Sequence, residues 1–136
     1  MANPRTRNLS IHSPSPSECL QQAKRLLRGR GCERNYEAAV ELLDLAARAG
    51  EVDALYRLGK CYLKGIGCTK DPAGAVSCLE RAALAGHAAA TYRLGECFEN
   101  GTGAPRSAEL AAYWYRKAAA LNHPDAYKAL IALARK

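Results

Sequence analysis

Pairs of glycines one residue apart return along this chain at a fixed interval. Gly29 and Gly31 are followed by Gly65 and Gly67 and then by Gly101 and Gly103, each pair 36 residues after the last. A G-x-G ahead of a helix can cradle a phosphate, but such a loop is needed once per cofactor, whereas a structural turn returns with the unit it belongs to. The residues between the glycines keep the same interval. Residues 51–86 laid over 87–122 give 11 identities in 36 positions without a gap, and 15–50 over 51–86 give 12. The stretch HPDAYKALIALARK at 123–136 restarts the unit and holds one helix of it. Self-similarity at this period points to a stacked solenoid, in which a unit buries its apolar face only against its neighbours.

Each unit reads as two helices. In the second, Ala75, Val76, Leu79, Ala82 and Ala83 fall at i, i+1, i+4, i+7 and i+8, one apolar stripe at helical period. Ala39, Val40, Leu43, Ala46 and Ala47 draw the same stripe one unit earlier, and Ala111, Ala112, Tyr115, Ala118 and Ala119 one unit later. Asn35, Asp71 and Ser107 stand where an N-cap is needed, with Pro72 in the first turn. Gly50, Gly86 and Asn122 stand where a helix ends in a left-handed residue. The first helix carries Ala54, Leu58, Cys61 and Tyr62 on one side, matched by Ala90, Leu94, Cys97 and Phe98. Gly59 and Gly95 fall mid-helix, where glycine costs about 1 kcal/mol relative to alanine, so a neighbouring helix is expected to press against the backbone there. Gly65 and Gly67 are expected to shape the reversal between paired helices at positive φ. No strand precedes them and the third glycine of a dinucleotide fingerprint is missing.

The totals fit this picture. A chain of 136 residues is one domain's worth, and its apolar content is largely alanine, with one Trp and one Phe, which favours closely packed helices. Nowhere do about 18 apolar residues run together, as a membrane span would need. The N-terminus, MANPRTRNLSIHSPSPSE, has arginines but no apolar segment behind them, so no secretory signal is expected and the protein is placed in the cytoplasm. Six cysteines would allow three disulfides in an exported chain; in the cytoplasm reduced thiols are the expectation. No C-x-x-C pair suggests a metal site. Cys61 and Cys97 fall on the buried stripe, while Cys32 and Cys68 follow the second glycine of their turns.

Chemistry-bearing constellations are missing from the pattern. His12 lies in the tail, and His87 and His123 stand 36 residues apart at helix starts, which makes them turn residues rather than catalytic ones. No enzyme activity and no cofactor is implied. Tyr113, Trp114 and Tyr115 are expected to pack between helices rather than to form a ligand cage.

These residues together resemble the Sel-1-like repeat family, relatives of the tetratricopeptide repeat. The likeness rests on A-L-Y-R-L-G-K-C-Y at 54–62, G-I-G at 65–67 and A-V-S-C-L-E-R-A-A at 75–83. It returns as A-T-Y-R-L-G-E-C-F at 90–98, G-T-G at 101–103 and A-A-Y-W-Y-R-K-A-A at 111–119. The first unit departs from the pattern, with Gln22-Ala23 in place of Leu-Gly and Leu26 in place of an aromatic residue, as suits a capping repeat. The resemblance implies an all-α, right-handed α/α solenoid of helix-turn-helix pairs, a tetratricopeptide-like superhelix. A tail over 1–16, disordered and kept non-helical by Pro14 and Pro16, precedes units at about 17–50, 51–86 and 87–122 and a terminal helix at 123–136. Some exported members of the family are cysteine-rich and disulfide-linked, which keeps that reading open beside the reduced one.

The resemblance also implies a concave groove lined by the first helices, binding a protein or peptide segment. On the side away from Leu58 and Tyr62 stand Asp53, Tyr56, Lys60 and Lys64, at i, i+3, i+7 and i+11. Tyr92, Glu96 and Asn100 are the equivalents one unit later; Lys24 and Arg28 precede, and Lys128 extends the row on the terminal helix. A groove basic at its N-terminal end suits a partner with acidic segments. The expected function is therefore a non-enzymatic adaptor or scaffold, with roles in signalling or, in bacteria, effector regulation. The alternative is a nucleic-acid-binding regulator using the basic N-terminal repeat. Residues 1–36 carry seven Lys and Arg against two acidic residues, and the chain is +7 overall. A recognisable nucleic-acid motif is missing, which disfavours that alternative. Tyr127, Leu130, Ile131 and Leu133 make the terminal helix a candidate surface for self-association.

Overall fold

The computed structural model describes residues 14–29 and 35–136, which hold seven α-helices and no strand. They are α1 (Pro16–Arg28), α2 (Tyr36–Arg48), α3 (Val52–Lys64), α4 (Pro72–Leu84), α5 (Ala88–Asn100), α6 (Ala108–Ala120) and α7 (Ala126–Ala134). The extensive contacts run between helices consecutive in the chain, largest within the pairs α1–α2, α3–α4 and α5–α6. That is the α/α solenoid expected from the repeat. Residues 1–13 of the expected tail, with Arg5, Arg7 and His12, lie outside the described residues. So do Arg30, Gly31, Cys32, Glu33 and Arg34 of the first turn.

The helix starts follow from their caps. Asn35 Oδ1 accepts from the Ala38 N–H (3.0 Å), Asp71 Oδ1 from Gly74 (3.0 Å) and Ser107 Oγ from Leu110 (3.1 Å). Each satisfies one of the backbone donors a helix start leaves over. Ser15 does the same for Glu18 (3.1 Å), and α1 begins at Pro16, one residue ahead of the expected boundary. A proline suits the first helical position because its missing N–H has no partner to lose there.

The core is a file of small residues with a few large ones inserted. Ala39, Ala46, Ala54, Ala75, Ala82, Ala90, Ala111 and Ala118 are fully buried, with Leu43, Leu79, Leu94 and Tyr115 as the bulky fillers. The mid-helix glycines show why. A Cβ at Gly59 would stand 3.1 Å from Leu79 Cγ, and one at Gly95 would stand 2.7 Å from Tyr115 Cδ1. The second helix of each pair lies directly on the backbone of the first at that point. In α7 the same register is held by Ile131, 36 residues after Gly95, and its side chain is half exposed.

The second glycine of each turn does a different job. Gly67 and Gly103 have φ of +72° and +76°, and a Cβ on either would run into a backbone carbonyl, Tyr36 for the first and Pro72 for the second. Those carbonyls belong to the second helix of the preceding unit. The turn is therefore not only a reversal; it seats one unit on the one before. Trp114 and Tyr115 are buried between helices, whereas Tyr113 remains exposed, so the aromatic cluster is structural in two of its three members.

Candidate functional site

The first-helix face is joined from unit to unit by its own polar side chains. Asp53, at the start of α3, is the hub. Its Oδ2 accepts from Arg57 Nε at 3.0 Å, one helical turn on, and from Lys24 Nζ of α1 at 3.3 Å; its Oδ1 meets His87 Nε2 at 3.4 Å. One carboxylate thus touches three successive units. Burial by itself would raise its pKa, but Arg57, Lys24 and His87 together outweigh that and hold it below the ordinary value.

His87 has two further contacts. Its Nδ1 accepts the Ala90 N–H at 3.1 Å, making this histidine the N-cap of α5. An acceptor at Nδ1 places the ring hydrogen of the neutral imidazole on Nε2, where it can donate to Asp53. The ring also stacks on Tyr56, with centroids 4.6 Å apart. One unit later His123 stacks on Tyr92 at 4.3 Å, nearly parallel at 6°. Tyr92 is further packed against Tyr115 (5.5 Å), whose hydroxyl donates to Glu99 Oε1 at 2.6 Å. Burial and the Glu99 carboxylate both push the Tyr115 phenol far above its ordinary range. The histidines are thus more than turn residues. Their 31-residue separation from Tyr56 and Tyr92 was present in the sequence twice and is the signal that would have found them.

The groove residues expected from the sequence divide into two groups. Lys24, Asp53, Tyr56 and Tyr92 are half-buried and engaged within the chain, joining units to one another. Arg28, Lys64, Asn100 and Lys128 are exposed at the surface. Lys60 and Glu96 stand between these groups. The Lys60 ammonium lies 4.9 Å from the Tyr56 ring centroid, a cation–π contact, and Glu96 pairs with Arg93 at 3.2 Å.

Two clefts open where the C-terminal ends of these helices meet the turns. The first has a volume of about 530 Å³ and is lined by Leu27 of α1, Tyr36 of α2, Arg57, Lys60 and Lys64 of α3, and Ile66 of the turn. The second, one unit on, has about 170 Å³ and is lined by Leu63, Arg93, Glu96, Cys97, Asn100 and Thr102. Cys61, at the wall of the first, is buried, and desolvation raises its thiol, which keeps it protonated and a poor nucleophile. Cys97 is raised in the same way. The half-buried Cys68 thiol points to the carbonyls of Cys61 and Ile66. No helix among the described residues is long and apolar enough to cross a membrane.

A file of helix pairs, seated by glycine turns and tied along the face of the first helices, defines a helical-repeat scaffold. The Sel1 repeat family matches residues 23–51, 52–87 and 88–123, and the chain belongs to that family. The first match is the shorter one, beginning at Ala23 where the sequence pattern of the first unit departs from the others. Among solved structures, the chain is similar to a Sel1 repeat protein from Oxalobacter formigenes, with 38% identity, 92% of each chain covered and a TM-score of 0.78. It is also similar to a protective antigen present in uropathogenic Escherichia coli strains and displaying an SLR fold, at 26% identity and TM-score 0.81. That match covers 93% of this chain and 27% of the other. Helicobacter pylori cysteine rich protein B shares the fold at 18% identity and TM-score 0.71, with 92% and 93% covered. No curated protein sequence matches.

Proposed function

We propose that this protein is a non-enzymatic adaptor or scaffold that holds a protein or peptide partner on the face formed by its first helices. The observation that carries the reading is a contrast within the repeat itself. Leu58 and Leu94, Gly59 and Gly95, and Cys61 and Cys97 are identical between units and buried. Lys60 against Glu96 and Lys64 against Asn100, one turn away, differ in charge and reach solvent. A solenoid needs the first set to stack; the second set is what a partner can tell apart. Family membership supports a protein-binding role, and the bacterial neighbours among solved structures support placing it in bacterial signalling or effector regulation. We place the protein in the cytoplasm.

The experiment is affinity enrichment from the source lysate with the native chain and a Lys60→Glu, Lys64→Glu, Asn100→Ala variant. Circular dichroism first establishes that the variant is folded. Loss of a specific partner from the variant supports the reading. Equal recovery from both moves the binding surface to the second helices. Tyr56 and Tyr92 are left intact because they stack on His87 and His123, and changing them would disturb the frame.

Self-association through α7 is a second element of the proposal, favoured by the exposure of Tyr127 (67%) and Ile131 (52%). Sedimentation of the full chain against a Tyr127→Ser, Ile131→Ser variant tests it, a monomer in both cases counting against it.

A further inference from the structure

The first cleft says more about the partner than the face as a whole. Arg57, Lys60 and Lys64 lie along one side of it, and among the described residues no acidic side chain lines it. Leu27, Tyr36 and Ile66 form its apolar part. Lys64 is exposed, with no ion-pair partner among the described residues. Its volume, about 530 Å³, falls within the roughly 300–1,000 Å³ typical of ligand sites.

The charge is not a by-product of the repeat. In the equivalent cleft one unit later, Lys60 gives way to Glu96, Lys64 to Asn100 and Ile66 to Thr102, while Arg93 is already paired with Glu96 at 3.2 Å. The positive row therefore ends with its own unit. A nucleic acid, with a phosphate at every step, would pass from Lys64 to Glu96 and gain nothing there. A short segment that needs positive charge in one place, beside an apolar wall, fits better.

Resting on the adaptor reading above, we propose that the cleft between α1 and α3 anchors a partner peptide that places a large aliphatic side chain against Leu27 and Ile66. An Asp or Glu on either side of that residue meets Lys60, Lys64 and the free end of the Arg57 guanidinium. The carboxylates supply direction and on-rate, and the aliphatic side chain supplies contact area. Binding is accordingly weakened by salt, because two of the three cations sit at the solvent edge.

The test is a titration of nitrogen-15-labelled full-length protein with a synthetic decapeptide carrying an acidic–leucine–acidic core. Controls are the same peptide with its leucine changed to serine, the same peptide with its acids changed to amides, and a single-stranded oligonucleotide. The expected result is shift changes concentrated at Leu27, Lys64, Gly65 and Ile66. Either peptide control weakens binding by about tenfold or more, and so does Lys60→Glu with Lys64→Glu. Glu80→Gln, exposed on α4 and away from the cleft, leaves it unchanged. No saturable shift at millimolar peptide, shifts confined to other surfaces, or tighter binding of the oligonucleotide than of the peptide each overturns the proposal. If the Lys60→Glu, Lys64→Glu variant loses a lysate partner but loses nothing toward the peptide, the adaptor reading survives and the anchor does not.

Discussion

The clefts on either side of α3 are built on one register and differ in what they offer. Leu27 and Leu63, Arg57 and Arg93, and Cys61 and Cys97 occupy matching places, 36 residues apart. Between them, Lys60, Lys64 and Ile66 become Glu96, Asn100 and Thr102, and the volume falls from about 530 to about 170 Å³. The polar junctions diverge in the same way. Asp53 ties three units in the first half of the molecule, whereas its register one unit later is Ala89, and the second junction is carried by the Tyr92–His123 stacking and the Glu99–Lys136 ion pair at 2.7 Å. Two neighbouring copies of one unit can thus share the buried Leu, Gly and Cys of the first helix and still present different surfaces. Stacking constrains one side of each helix and leaves the other free to specialise.

The largest expected effect attacks what the two junctions share. Gly67→Ala or Gly103→Ala should cost roughly 2–4 kcal/mol, combining left-handed strain with a collision against a carbonyl that cannot rotate away. Gly50→Ala is the control: φ is +92° but nothing lies within 4 Å, so only the strain remains, about 1 kcal/mol. Urea unfolding of the three variants measures the difference, and equal losses would show that the collision is relieved elsewhere.

A smaller effect separates the two halves. Gly95→Ala meets the Tyr115 ring at 2.7 Å and should lose roughly 1–3 kcal/mol. Gly59→Ala meets the end of Leu79 at 3.1 Å, and Leu can shift. The helix-propensity gain of about 1 kcal/mol then brings that variant close to neutral. Thermal melts showing the reverse order would mean that Tyr115, not Leu79, is the side chain with room to move.

The smallest effect is a pH dependence at the first junction. Asp53 has its folded pKa below the unfolded value of about 3.9. Its contribution is therefore fully present above that value and is lost as pH falls through the depressed folded value. Stability measured from pH 7 downward should show the native protein ahead of Asp53→Asn by about 1 kcal/mol at neutrality, the gap closing at acid pH. Ala89→Asp, whose register neighbours are Lys60, Arg93 and His123, should open a similar acid-sensitive gap in the second junction. A constant offset at every pH would assign the Asp53 effect to packing.

How far the sequence revealed these features depends on the distance over which each is determined. The helix pairs and their caps at Asn35, Asp71 and Ser107 follow from residues within one or two turns of each other, repeated often enough to be recognised. Gly59 and Gly95 stand out as mid-helix glycines, although the side chains that crowd them, Leu79 and Tyr115, belong to the next helix. Asp53 was visible as a polar residue on the first helix, but its partners lie 29, 4 and 34 positions away in three different units. Pattern alone gives no means of choosing among the cations near it. The same holds for Tyr56 and Tyr92, whose burial is set by the stacked histidines of the next unit, 31 positions on. Their candidate cleft lies between units, and periodicity says which residues correspond across units without saying which of them meet.

Ile131 sets α7 apart chemically from the first helices before it. At positions 59 and 95 a hydrogen atom in place of a side chain lets the next helix come down onto the backbone; at 131 a branched, four-carbon group stands in that space. A helix arriving on α7 would be held off by the width of that group and would have to tilt or slide to find other contacts. α7 therefore does not offer a following helix the close seat that α3 and α5 offer theirs, and it presents Tyr127 and Ile131 to a surface of another form.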